Sequence, residues 1–381
     1  MKRIVALVLA MLTLSSLSAC SPSGDGEFYV CSMTGHSGHS GTEQIFETND
    51  AVYYLCSESG INKHKLDKLW IGEKGKDVWI PLCSKPNCMH NDEDCNAVLE
   101  GHAGGRIWLY GQHIYYVSDY SSLWRMRLDG SGHEKLKTFE VDPGGYVGTF
   151  FFHDRYLVLI AVVPPDGRTD SDVNEPKVYV VDLSMNELEM RNVELVTESE
   201  GRKTIGYPLI GDEKYIYTVL DDCTLLRFDL ESGTLSEICM LPFYPEEIGI
   251  RKVGDKLYFY EPWTAGMAVS VDVNTGMTDE IKRVEPGSEC WYTICGEHEI
   301  GVDPGSGDLM IYDDKCVFET SVPVPEGTGT IFPMWTLDEV VYGFEYVNGE
   351  ESILTPPQWY LDLSKLGTGN LTWRRWAPDG E

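Results

Sequence analysis

GDEKYIYTV, residues 211 to 219, is the stretch that decides the fold: a short polar turn runs into alternating aromatic and β-branched residues and then stops. Tyr, Ile, Thr and Val suit a pleated surface, and Gly with Asp in front of them supplies the tight turn through which a chain enters a strand. The same arrangement recurs as TNDAVYYL (48–55), GQHIYYV (111–117), HDRYLVLI (153–160), VGDKLYFY (253–260), GEHEIGV (296–302) and LDEVVYGF (337–344), seven copies in all. From Tyr115 to Val158 the step is 43 residues, and from Ile216 through Tyr258 and Gly301 to Tyr342 the steps are 42, 43 and 41. The steps from Tyr53 to Tyr115 and from Val158 to Ile216 are longer, 62 and 58, each by about one inserted loop.

A second echo follows most copies: LWRMRLDGSG, VYVVDLSMN, LLRFDLESGT, VSVDVNTGM and WYLDLSKLGTGN, apolar alternation ending in Asp and then a Gly, Asn or Ser turn. Asp and Asn bond their own backbone and Gly supplies positive φ, so each echo reads as a strand feeding a hairpin. About four short strands therefore fill each period, and helical periodicity is absent. A four-stranded antiparallel unit of roughly 40 to 45 residues, repeated in tandem, is a propeller blade. The prediction is an all-β, seven-bladed β-propeller of four-stranded antiparallel blades over residues 42–381, with a cysteine-rich insertion at 83–97.

Propeller connectivity then sorts the loops. Counting strands A to D outward in each blade, the B-to-C and D-to-next-A connections leave one face and the A-to-B and C-to-D turns the other. If the turns in front of the seven runs are A-to-B turns, all are short. The long segments SESGINKHKL, CSKPNCMHNDEDCNAVLEGHAGG, VPPDGRTDSDVNEP and YVNGEESILTPPQ then fall on the other face. Long loops on a rigid scaffold are where binding resides. On that face the sequence offers Tyr120, Asp221 and Asp222, Phe243, Tyr244 and Trp263, aromatics among carboxylates suited to a sugar ring or a peptide. The same rings could instead pack between blades.

The chain opens MKRIVALVLAMLTLSSLSAC: Lys2 and Arg3, an apolar run from Ile4 to Leu14, and a small-residue site ending in Cys20. A bilayer span needs about 20 apolar residues, so residues 1–19 read as an export signal. The ending resembles the lipobox of bacterial lipoproteins, which implies Cys20 as the lipidated first residue of the mature chain. Residues 20–41, rich in Ser and Gly, read as a flexible tether, with His36 and His39 solvated on it. From Cys20 onward 61 acidic residues face 28 basic ones, a formal charge of −33. Such a surface repels nucleic acid, which needs stripes of Lys and Arg, and it repels anionic lipid, leaving the lipid anchor as the membrane contact.

Ten cysteines remain after Cys20, and an even number outside the membrane favours disulfides. Cys223 and Cys239 flank one hairpin, and Cys83, Cys88 and Cys95 crowd one loop. A disulfide staple is the first reading. The alternatives are structural zinc held by Cys83, Cys88, His90 and Cys95, four soft or borderline ligands on one segment, and free thiols in an anaerobic setting; apart from the zinc, no cofactor is expected. DVNTGMTDE (272–280) and DPGSGD (303–308) have a likeness to calcium loops but read as Asp, Asn and Gly turns.

Over nearly its whole length the sequence resembles the β-propeller lipoproteins of Gram-positive bacteria, relatives of the TolB-like and receptor-propeller-like repeats. The specific match is C-x-K-P-x-C-x-H-x-x-x-x-C-N-A, here Cys83, Lys85, Pro86, Cys88, His90, Cys95, Asn96 and Ala97. The resemblance implies a lipid-anchored propeller at the extracytoplasmic face of the cell membrane and brings no activity with it. No G-x-S-x-G elbow, H-E-x-x-H or P-loop occurs, so binding of an exterior glycan or protein is favoured over catalysis. The competing readings are a propeller hydrolase acting on polysaccharide and a structural interaction module of an envelope complex. Cys20→Ser should leave the protein unlipidated and released from membranes by a high-salt wash; retention after the wash would refute the lipobox reading.

Overall fold

The computed structural model describes residues 32–33 and 45–378, apart from 58–66, 77, 91–93, 102–105, 142–144, 154, 164–174, 194–196, 200–201, 205–207, 212–213, 220–222, 244–249, 261–266, 283–290, 296–297, 304, 314–316, 338, 348–349 and 352–355. It is an all-β, seven-bladed propeller. Blade 1 comprises Ile45–Glu47, Ala51–Ser57, Asp67–Glu73 and Val78–Pro81; blade 2 comprises Ile107–Tyr110, His113–Ser118, Ser122–Arg127 and Glu134–Thr138. Blade 3 is Tyr146–His153, Tyr156–Val163, Glu175–Asp182 and Arg191–Val193, and blade 4 is Pro208–Gly211, Tyr215–Val219, Thr224–Asp229 and Leu235–Met240. Blades 5 and 6 run from Ile250–Val253 to Thr278–Lys282 and from Trp291–Cys295 to Phe318–Val322. Blade 7 has Thr330–Leu337, Val340–Val347, Trp359–Asp362 and Arg374–Arg375. Short additions among the described residues lie outside this plan, among them a hairpin of Thr197–Ser199 with Arg202–Thr204, Ser32–Met33 on the inner edge of Thr330–Leu337, and Glu350–Glu351 on Val340–Val347.

Each of the seven repeated runs is the second strand of its blade, and each polar turn in front of it is the A-to-B connection. The reason for their composition is burial on both faces. In blade 1, Tyr53 and Leu55 pack into blade 2 while Val52, Tyr54 and Cys56 pack into blade 7. In blade 2, Ile114 and Tyr116 face blade 1, whereas Tyr115 and Val117 face blade 3. Blade 3 repeats the division, with Leu157 and Leu159 toward blade 2 and Tyr156 and Val158 toward blade 4. Successive side chains of a strand point to opposite faces, so a strand between two neighbours must be apolar at every position rather than at alternate ones. Full burial of one such side chain stabilises by about 1.5–3 kcal/mol.

The Asp of the second echo makes the turn it announces. Asp229 Oδ1 accepts the backbone N–H of Glu231 and Ser232 at 3.0 and 2.9 Å, and Asp272 Oδ1 accepts those of Asn274 and Thr275 at 3.0 and 2.9 Å. In blade 6 Asp303 does the same for Gly305 and Ser306 at 2.9 and 2.7 Å, so both calcium-like stretches contain self-bonded turns. The N–H groups of Ser232, Thr275 and Ser306 hold these three carboxyls below the usual carboxylate range.

The ring closes through the last described residues. Ala377–Pro378 adds a parallel strand to the outer edge of Val78–Pro81 in blade 1, directly after Arg374–Arg375 has paired in blade 7. Between them Trp376 is buried against Trp79, ring centroids 4.5 Å apart, and against Tyr360 at 5.4 Å. Its ring fills the space a Cβ would take at Gly72. Trp376→Ala should therefore cost about 3–5 kcal/mol and Gly72→Ala about 1–3 kcal/mol by overpacking. In a denaturant double-mutant cycle, Gly72→Ala should cost far less when Trp376 is already Ala; additive losses would show that the two do not meet.

Candidate metal centre and ligand-binding face

The cysteine segment leaves blade 1 at the end of its outer strand and folds back on the third. Leu82 N–H donates to Leu69 O at 2.9 Å, Leu69 N–H to Ala97 O at 2.8 Å and Leu99 N–H to Asp67 O at 2.9 Å. The segment's two arms, 83–90 and 94–97, are thereby stitched to one strand. They are also joined to each other: the Lys85 ammonium donates to Asp94 O, and Asn96 Nδ2 to Ser84 Oγ at 3.2 Å. Asn87 and His90 sit at φ 59° and 57°, left-handed positions that fold the first arm sharply.

The consequence is convergence. One ligand atom each from Cys83, Cys88, His90 and Cys95 lies within 4.8 Å of the other three, and His90 Nδ1 stands 3.4 Å from Cys95 Sγ. Cys95 is buried and the other three partly so. Burial, helped by the sulfurs of Cys88 and Cys83, pushes the Cys95 thiol up to about 12 although Ala97 N–H donates to its sulfur at 3.4 Å. At Cys83 burial also pushes upward, but the backbone N–H groups of Lys85 and Asn96, with the Cys95 and Cys88 thiols, outweigh it and hold that thiol below its usual value.

A neighbouring blade braces this knuckle. His133, from the C-to-D turn of blade 2, donates Nε2–H to Asn96 O at 3.0 Å, because a carbonyl can only accept. Its Nδ1 is then the acceptor for Tyr116 Oη–H at 3.2 Å, and Tyr116 Oη accepts Glu100 N–H at 3.4 Å. Burial raises the Tyr116 phenol well above its ordinary value, which keeps it a donor. Nothing in the sequence marks His133, since its partner Asn96 follows a different blade.

Cys83, Cys88, Cys95 and Cys239 carry free thiols. Cys239 lies opposite Leu225 and Cys223 next to Leu241, so the two flanking cysteines are staggered along the hairpin, and no sulfur–sulfur bond joins them. Cys20, Cys31, Cys290 and Cys316, with His36 and His39, lie outside the described residues.

The other candidates divide. Tyr120 is 40% exposed at the tip of the B-to-C turn of blade 2, its ring edge-on to Phe150 at 5.8 Å. Phe243 is half-buried against the core between blades 4 and 5. Tyr244, Trp263, Asp221 and Asp222 lie outside the described residues. Near Tyr120, Arg106 covers the Phe150 ring at 5.2 Å, and Tyr146, at the same end of blade 3, is 60% exposed. An isolated Tyr opening a strand carries no mark in the sequence that separates it from a packed one.

In reduced protein stripped by a chelator, iodoacetamide at neutral pH should modify Cys83 well before Cys95, by peptide mass mapping, because the thiolate is the nucleophile and Cys95 is both buried and hard to ionise. Equal rates would contradict the asymmetry.

No protein-family model matches the chain, and no curated protein is similar to it at a significant level. Among solved structures it is similar to a prolyl endopeptidase (13% identity, 88% of this chain and 48% of that chain covered, TM-score 0.52), so it spans about half of that enzyme's length. It also aligns with BamB from Moraxella catarrhalis (13% identity, 79% and 90% covered, TM-score 0.43). A third alignment is with YCF48 bound to a D1 peptide (11% identity, 69% and 77% covered, TM-score 0.40). At these identities the likeness concerns the propeller fold alone.

Proposed function

We propose that this protein is a lipid-anchored propeller of the bacterial exterior that binds a glycan or peptide on the face carrying the B-to-C and D-to-A connections. The anchor rests on the lipobox resemblance at Cys20. The choice of face rests on loop length. All seven A-to-B connections are two or three residues long, whereas the opposite side carries connections such as 58–66, 82–106 and 164–174. A sheet scaffold needs only the short turns, so the added chain is spent on recognition.

The observation that carries the reading is the backbone of Tyr120. Asp119 and Tyr120 have φ 49° and 54°, and Ser121 N–H bonds Ser118 O at 3.0 Å, so the tight turn between the paired Ser118 and Ser122 has two successive left-handed residues. Such turns ordinarily use Asn-Gly or Asp-Gly, because a side chain at positive φ costs about 1 kcal/mol. Gly in place of Tyr120 would satisfy the turn, yet the chain holds there an aromatic ring that is 40% exposed. Strain kept at an exposed loop tip is the mark of a contact residue. A phenol ring stacks on a sugar face or a peptide side chain, and its hydroxyl supplies one hydrogen bond.

Tyr120→Gly tests this, since relief of strain and the entropy of the extra glycine nearly cancel and stability should stay within about 1 kcal/mol. Wild-type protein is first screened against cell-wall glycan fragments and a peptide library. The variant should then lose tenfold or more in affinity for whatever is bound, with an unchanged Tm. A bound ligand indifferent to Tyr120, or a panel that yields none, would overturn the reading.

A further inference from the structure

We infer that Cys83, Cys88, His90 and Cys95 form a closed structural zinc site that fixes the outer edge of blade 1 against blade 2. The geometry is that of a tetrahedral ligand set. With Zn–S of about 2.3 Å and Zn–N of about 2.0–2.1 Å, the edges of such a tetrahedron are roughly 3.5–3.8 Å. The four ligand atoms lie within 4.8 Å of one another and the His90–Cys95 edge is 3.4 Å, so small side-chain rotations bring all four onto one ion.

Three further features separate zinc from a disulfide staple. The cluster has three thiols, so one bridge would leave the third unpaired within the cluster. It also includes an imidazole whose Nδ1 faces a sulfur, which a staple has no use for. The backbone, finally, is arranged to receive a thiolate: Ala97 N–H points at Cys95 Sγ at 3.4 Å. Amide donors of this kind spread the negative charge of metal-bound sulfur, and outer partners such as His133 on Asn96 O hold the amides in place.

Binding Zn²⁺ displaces the three thiol protons and leaves the centre with one net negative charge. Four protein ligands fill the tetrahedron, so no position is open to water or substrate and the site is structural rather than catalytic. Its task follows from its attachments. The D-to-A connection of residues 82–106 is the longest in the ring, and the ion would fasten its first half to Asp67–Glu73 of blade 1 and, through Asn96 and His133, to blade 2.

Full-length protein exported without added chelator or reductant should contain about one zinc per chain by elemental analysis. After denaturation, Cys83, Cys88 and Cys95 should all be alkylatable without reduction. Cys95→Ser and His90→Ala should lose the metal. In case those variants fold poorly, His90→Cys should keep both the fold and one zinc, and its Co²⁺ form should show the d–d bands of a tetrahedral site moved to longer wavelength by the extra thiolate. Metal-free protein with a bridge between any two of the three cysteines would overturn the inference, as would zinc retained unchanged in Cys95→Ser or a Co²⁺ spectrum indifferent to His90→Cys. None of these readouts involves Tyr120 or a ligand of the loop face, so failure here and failure of the binding role are separate results.

Discussion

Face-to-face packing of neighbouring blades is the interaction on which every other feature rests. A four-stranded blade of about 40 residues cannot cover its own two faces, and an isolated small sheet is marginal in water. Each blade therefore borrows its core from both neighbours, as Tyr54 and Cys56 do from blade 7 and Leu55 from blade 2. The dependence is circular, which makes the joint between first and last blades decisive. Here the joint is aromatic: Trp79, Trp376, Tyr342 and Tyr54 bury one another, and Trp79 Nε1 finds Pro357 O at 2.9 Å. A large apolar ring with one satisfied polar atom gives a joint both dry and directional.

A ring held this way leaves its connections free to vary. The four-stranded ladder of each blade is built from its own strands, so most loops need only return the chain to the next strand, and lengthening one costs little closure entropy. The chain uses that freedom unevenly. A-to-B connections stay at two or three residues, and elaboration collects on the other face and at the outer edge of blade 1. At the loop tip of blade 2 the local backbone departs from what is cheapest at Tyr120, and at the outer edge it departs again at Asn87 and His90. Both departures serve side-chain placement, one outward to solvent and one inward onto a cluster of sulfurs.

The acidity of the chain acts at a different scale. A formal charge of −31 over 381 residues repels like molecules and polyanions and raises the local concentration of cations. That field disfavours phosphate-bearing partners. It does not choose the fold, which is set by apolar contacts whose range is a few ångströms.

Blade number, the second strand of each blade, the short turns before it and the positions of the long connections were all legible in the sequence. Each depends on a local rule: period-2 side-chain direction, Asp and Gly turn chemistry, and a repeat step near 42 residues. The four candidate ligands were legible as residue types on one segment, but a staple and a metal site read alike there. Only folding shows Cys83, Cys88, His90 and Cys95 converging to within 4.8 Å, because that depends on left-handed turns at Asn87 and His90 and on pairing of Leu82 and Ala97 with Leu69. Likewise Phe243 and Tyr120 are both aromatic loop residues in sequence, and the tertiary structure alone packs one into a core and leaves the other exposed. Contacts such as Trp376 on Gly72, or His133 on Asn96, join residues from different blades. Periodicity within a strand says which way a side chain points; what it meets there is decided by the closing of the ring.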